Sequence, residues 1–152
     1  MSHDIKQLKP SVNSRYRQGY IDPDSCKKLY PGLCNEPIIT RSSWERKFIY
    51  WLEGNKHVVR WGSECIEIPY ILGTDGSYHT YHPDFVVEMD NGDKWVVEIK
   101  PKSQCTRPIN EDSWLWKVYT TNMSKWVAAK KFCDDRGLKF KVFTENTISS
   151  LV

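Results

Sequence analysis

The sequence predicts an α/β domain in which helices flank one mixed β-sheet, and three observations carry that expectation. A strongly amphipathic stretch near residue 45 has helical spacing. Several short runs rich in β-branched and aromatic residues follow it, separated by turn residues. A second helical stretch near the end precedes one last alternating run. Helix, strands, helix and strand in that order pack as helices against a sheet. The 152-residue length suits one such domain. A composition of 39% hydrophobic and 27% charged residues excludes a disordered or fibrous chain. No uncharged apolar run reaches the ~18 residues of a membrane span. The opening Met1-Ser2-His3-Asp4-Ile5-Lys6 lacks the apolar stretch of a secretory signal, so an intracellular protein is expected.

Residues 1–40 are polar and broken by Pro10, Pro23, Pro31 and Pro37, while Tyr16, Tyr20 and Tyr30 suggest a basic arm packed on the domain of residues 41–152. Ser42 followed by Glu45 matches a capping box and starts a helix over 43–53. Trp44, Phe48, Ile49, Trp51 and Leu52 form its apolar face, and Gly54-Asn55 ends it. Val58 to Trp61 and Ile66 to Tyr70 read as strands. Tyr78 to Glu88 and Lys94 to Lys100 read as a hairpin around Asp90-Asn91-Gly92. After a polar loop over 101–110, Ser113 to Tyr119 is weakly helical, and a clearer helix runs from Ser124 to Arg136 with Gly137 as its cap. Leu138 to Thr144 closes as a strand.

Charge is unevenly spread. Residues 1–41 carry +3, residues 42–98 carry −5 and residues 99–141 carry +6. Chance fluctuation on a solvated surface produces such blocks. So does a polyanion-binding rim around a cation-binding centre.

Two features break the apolar patterning. Around the first helix Glu45 falls between Leu52 and Ile49, inside the apolar stripe, where a carboxylate is costly without compensation. It either turns back to cap its own helix or reaches across to the sheet. In the hairpin, Val96, Glu98 and Lys100 share a face of one strand, and Asp84, Val86 and Glu88 share a face of the other. A two-residue Asn91-Gly92 turn would pair 84 with 99 and separate the acids. A three-residue loop with Gly92 left-handed pairs 84 with 98 and 86 with 96. The three-residue loop is the one expected here, because it alone converges Asp84, Glu98 and Lys100. Pro83 has no N–H to give the ladder and leaves Asp84 free to turn. Two carboxylates on neighbouring strands and a third from a helix suit a hard cation such as Mg²⁺. A lysine beside them can position or help deprotonate a water.

Arg41 to Phe48 with Trp44-Glu45, then His82-Pro83-Asp84-Phe85, then Glu98-Ile99-Lys100-Pro101 resemble the PD-(D/E)xK nuclease superfamily. Within it the similarity is to the head completion nucleases of T-even-type phages and, at greater distance, to transposon end-cleaving endonucleases. The resemblance implies a restriction-endonuclease-like αβββαβ core with a central mixed sheet. By position it implies Glu45, Asp84, Glu98 and Lys100 as the catalytic set. Asp84, Glu98, Glu45 and the carbonyl of Ile99 would then hold Mg²⁺, with Mn²⁺ as a substitute. It also implies hydrolysis of DNA phosphodiesters at double-stranded ends or at branched or nicked forms. The implied setting is the host cytoplasm or the virion head, with head, portal or neck proteins as partners and no membrane. Two other settings stay open: a catalytically silent head or neck DNA-binding protein, and a junction resolvase or transposon-type nuclease.

Arg46, His82, Lys102 and Lys125 are the candidates for DNA contact, with Arg107, Lys130 and Lys131 as further rim bases. Each also reads as an ordinary surface residue, and His82 as a hydrogen-bonded structural histidine. Trp114 and Trp116 suit either base stacking or core packing. Five cysteines with no C-x-x-C pair fit free thiols in a reducing compartment. A zinc site using Cys26, Cys34, His79 or His82 is the other use of those residues.

Overall fold

The computed structural model describes residues 19–31 and 37–151. The parts of the arm at 1–18 and 32–36, with Tyr16 and Cys34, lie outside the described residues. A small antiparallel pair opens the described chain, β1 (Gly19–Ile21) with β2 (Ile38–Thr40). The first helix, α1, spans Ser43–Gly54, and its Ser42 hydroxyl accepts the Glu45 N–H at 3.2 Å. It is followed by β3 (Val58–Ser63), β4 (Ile68–Ile71), β5 (Tyr78–Tyr81), β6 (Phe85–Met89) and β7 (Lys94–Ile99). The short α2 (Lys102–Cys105), the long α3 (Trp114–Arg136), β8 (Lys139–Phe143) and α4 (Glu145–Leu151) complete it.

The central sheet runs in the order β3-β6-β7-β8. Its first three strands are antiparallel, and β8 joins β7 in parallel after the α3 crossover. In α1, β3, β6, β7, α3 and β8 the chain has a mixed sheet flanked by helices, consistent with a restriction-endonuclease-like fold.

The hairpin register follows the three-residue loop. Phe85 opposes Val97 and Val86 opposes Val96, with Gly92 at φ +90°. Continued by one step, that register sets Asp84 against Glu98. A non-glycine residue would be strained at this φ, so Gly92 fixes the pairing.

Both faces of β7 are buried, for different reasons. Val97 and Ile99 join Phe85, Val87 and Trp61 under Phe48, Ile49 and Leu52 of α1, with Ile148 of α4 in the same cluster. A second cluster joins Ile68, Tyr70 and Tyr81 of the β4–β5 hairpin to Ala129 of α3, with Trp126, Phe132 and Phe140 against it. The described arm extends the sheet at its β3 edge. There the Trp61 N–H donates to the Lys28 carbonyl at 2.9 Å, and the Tyr30 N–H to the Trp61 carbonyl at 2.9 Å. Glu53 locks this junction. Its carboxylate accepts the Lys27 N–H at 2.6 Å, the Lys28 N–H at 3.1 Å and the buried Trp61 indole at 2.7 Å.

Three details differ from the sequence expectation. The run 78–88 is two strands in two sheets, because Pro83 interrupts it: β5 pairs with β4, and β6 pairs with β3 and β7. The two helices expected at 113–119 and 124–136 are one continuous α3. Thr120-Thr121-Asn122 are poor helix formers. Here Asn122 is buried and donates to the Gln104 carbonyl at 3.1 Å, while Ser124 Oγ donates to the Thr120 carbonyl and accepts the Gly73 N–H. These anchors outweigh local propensity. The loop after Pro101 contains the turn of α2, and α4 follows the last strand.

Candidate active site

The site forms where strand ends meet helix starts. Asp84 stands one residue before β6, Lys100 one residue after β7, and Glu45 in the first turn of α1. Glu45, Asp84, Ile99 and Lys100 line a cleft of about 550 Å³ together with Arg41, Trp44 and Trp114. Pro83 has no N–H to give β7, while on the other side the Asp84 carbonyl accepts the Glu64 N–H at 3.0 Å. The Asp84 carboxylate instead turns onto the end of β7, where its Oδ2 accepts the Ile99 N–H at 2.8 Å. Glu98 is 4% exposed. Its Oε2 accepts the Tyr81 hydroxyl, and its Oε1 lies 3.5 Å from Lys100 Nζ.

Glu45 resolves its two alternatives in an unexpected way. Its carboxylate does not close the capping box on Ser42. Its Oε2 accepts the Arg41 N–H at 3.0 Å, one residue earlier, which leaves the side chain beside the other acids. Burial raises the Glu45 pKa, and the Arg41 N–H and charge oppose the rise, while Glu64 and Glu98 add to it. Asp84 is pushed well above the usual carboxylate range by burial, then by Glu98 and by Glu45. The Ile99 N–H and Lys100 oppose that rise. Three carboxylates thus act on one another here, with Arg41 opposing the rise at Glu45 and Lys100 that at Asp84.

Among the described residues, no three His, Cys, Asp or Glu side chains gather in one ligand shell. Asp84 Oδ2 is engaged by backbone and Glu98 Oε2 by Tyr81, so the donors converge without closing on a point. Their chemistry fits a hard cation nonetheless: the donors are oxygens, and the buried carboxylates repel one another.

The DNA-contact candidates divide. Lys125 of α3 lies over the Tyr81 ring, Nζ 5.4 Å from its centroid, and its pKa is lowered by burial and by Lys100. It does not line the cleft, but it is close enough for the charges of Glu98 and Asp84 to act on it. The Arg46 guanidinium packs over Gly19 of β1, where no side chain would fit. His82 turns its ring to Glu67 at 3.3 Å. Lys102 is exposed, and its N–H donates to Glu145 at 3.0 Å at the cleft edge. His79 meets Asp75 and Ser77 by the β4–β5 turn, and among the described residues it joins no metal-ligand group. Trp116 packs on Tyr119, whereas Trp114 is 56% exposed at the cleft.

Sequence reasoning missed Tyr81. It is buried, yet its hydroxyl holds Glu98. The available signal was a tyrosine three residues before Asp84 on a strand that the apolar pattern joins to the wrong partner.

The TnsA-like endonuclease N-terminal model matches residues 55–145, a span that contains Asp84, Glu98 and Lys100 and begins after Glu45. A head completion nuclease of Enterobacteria phage T4 is 32% identical over 124 residues, which cover 75% of this chain and 83% of that protein.

Proposed function

This chain belongs to the TnsA-like endonuclease N-terminal family, and from that premise we propose that it is a Mg²⁺-dependent DNA endonuclease that processes the ends of packaged DNA as a phage head is completed. The observation that carries the reading is the meeting of Glu45, Asp84 and Lys100 in one cleft, with Glu98 ion-paired to Lys100 behind it. The head completion setting is supported by the phage relative, which matches along most of both chains. No described helix is long and apolar enough to cross a membrane.

Asp84, Glu98 and Glu45, with the carbonyl of Ile99, would hold the cation. A bound divalent ion lowers the pKa of its water and neutralises charge that builds on the scissile phosphate. Lys100 Nζ, 26% exposed in its side chain, is placed to orient the attacking water or to hold a phosphate oxygen. Tyr81 keeps Glu98 in one rotamer, with Oε1 on the Lys100 side. Lys125 adds a second, half-buried positive charge on the α3 side, suited to the DNA backbone. The basic segments then supply a salt-sensitive, sequence-tolerant contact.

Cleavage of linear, nicked and branched DNA tests this. Activity should require Mg²⁺ or Mn²⁺ and be lost in Asp84→Asn, Glu98→Gln and Lys100→Met, with all three variants folded. Undiminished cutting in EDTA rejects the mechanism. Tight DNA binding without cleavage under either metal points to the silent head-protein role.

A further inference from the structure

Among the described residues Glu64 is the one non-glycine with a positive φ, +50°. Any side chain is strained in this left-handed region, where glycine is not. The residue directly follows β3, and two bonds tie it to the site. Its N–H donates to the Asp84 carbonyl at 3.0 Å, and its carboxylate accepts Nη1 of Arg41. The first bond needs only backbone, so glycine would make it without the strain. The second needs the acid. As a stabilising device that ion pair is weak, because the Arg41 and Glu64 side chains are 49% and 38% exposed. What it does fix is the position of the Arg41 guanidinium.

Resting on the nuclease reading above, we infer that Arg41 holds a phosphate of the DNA strand in the cleft, and that Glu64 is the positioning residue that keeps its guanidinium in place. Arg41 lines the cleft with Asp84, Ile99 and Lys100, and the charges of Glu45 and Asp84 act on it. Its backbone N–H holds Glu45 Oε2 at 3.0 Å, so the side chain is not needed for that acid. A guanidinium carries five N–H donors in one plane, so a bond to one carboxylate is compatible with a second edge on phosphate oxygens. Without Glu64, a long arginine among acids would be drawn onto Glu45 or Asp84, the groups that are to take the cation. Glu64 stands outside the cleft lining and draws the guanidinium to the side. Arg46, one residue past Glu45 in the motif, is not available for the task, because its guanidinium packs over Gly19. A phosphate entering among carboxylates is repelled by them, and a fixed positive charge at the wall offsets that repulsion.

The test measures binding of a labelled DNA duplex by fluorescence anisotropy, in EDTA and over a series of salt concentrations. The full chain carries Asp84→Asn throughout, which removes one acid from the cleft. Arg41→Ala, Glu64→Gly, Glu64→Gln and the double variant Arg41→Ala/Glu64→Gly are compared in that background. Arg41→Ala leaves the N–H that holds Glu45, and Glu64→Gly keeps the N–H to Asp84 while relieving the strain at φ +50°. Arg41→Ala should weaken binding at least about 5-fold and lower the salt slope by about one. Both Glu64 variants should weaken it at least about 3-fold, and Glu64→Gly should add nothing once Arg41 is gone. Arg41→Ala that binds with the affinity and salt slope of its parent overturns the inference. So do Glu64 variants that bind as tightly as their parent, or a Glu64→Gly loss that adds in full to that of Arg41→Ala. A parallel Mg²⁺ cleavage assay of the wild type separates the two readings. Metal-dependent cutting without the Arg41 effect on binding removes only this inference. The Arg41 effect without cutting removes only the nuclease reading.

Discussion

Replacing Asp84 with asparagine should abolish cleavage and make the protein more stable. The substitution keeps the shape and an acceptor for the Ile99 N–H, which Asp84 Oδ2 holds at 2.8 Å. It removes one negative charge that burial, Glu98 and Glu45 all disfavour. Relief of such a functional strain is worth about 1–2 kcal/mol, or about 2–8 °C in melting temperature for a chain of this size. The sign with pH follows from the direction of the shift. A carboxyl whose folded pKa is raised takes up its proton more readily in the fold than in the unfolded chain. It therefore destabilises the fold above its folded pKa, and that cost vanishes as pH falls to the ordinary carboxylate range near 4. Glu45 is raised for the same leading cause and adds to the trend. The assay is thermal unfolding of both proteins in EDTA from pH 4.5 to 8. The gap in favour of the variant should widen as pH rises. With Mg²⁺ added at pH 7.5, the wild type should gain stability by binding and the variant little. A variant less stable than wild type at pH 7.5 in EDTA would mean that the Asp84 charge is not a cost to the fold, and one stabilised equally by Mg²⁺ that Asp84 does not hold the ion.

Three other substitutions probe separate parts of the structure. Tyr81→Phe removes the hydroxyl that holds Glu98, and should raise the Mn²⁺ concentration for half-saturation several-fold while the fold survives; Mn²⁺ titration by electron paramagnetic resonance measures it. Glu53→Ala strands the fully buried Trp61 indole N–H and releases the Lys27 and Lys28 amides. It should cost about 2–4 kcal/mol in denaturant unfolding, with faster proteolysis of the arm. Gly92→Ala puts a side chain at φ +90° in the loop that sets the Asp84–Glu98 register, and should cost about 1–2 kcal/mol. A neutral Gly92→Ala would mean that the loop does not enforce the register.

The sequence made much of this legible, and the failures have physical causes. Ser42, the apolar stripe of α1, the three-residue loop and the Gly137 cap are local signals, and each is found where its chemistry puts it. Period-two alternation alone left two registers open, and the three-residue loop with Gly92 at positive φ is the one that sets Asp84 against Glu98. What could not be read was set by contacts distant in sequence. Tyr81 looks like one more residue of a long strand until Pro83 is seen to pass the chain from one sheet to another. Thr120 to Asn122 read as a break until Gln104 and Gly73 come to meet them. Arg46 has the right position in the motif, but Gly19, twenty-seven residues earlier, takes its guanidinium away from the cleft.

In the proposed function Asp84 and Glu98, with Glu45 beside them, take up a cation next to Lys100. The most direct measurement is a crystal structure of the wild-type chain soaked in Mn²⁺, with data collected at the manganese absorption edge. The expected result is anomalous density in the cleft, in contact with Asp84 and Glu98 and absent from Asp84→Asn crystals. Crystals of an active preparation with no anomalous density there, or with manganese bound elsewhere, would contradict the claim.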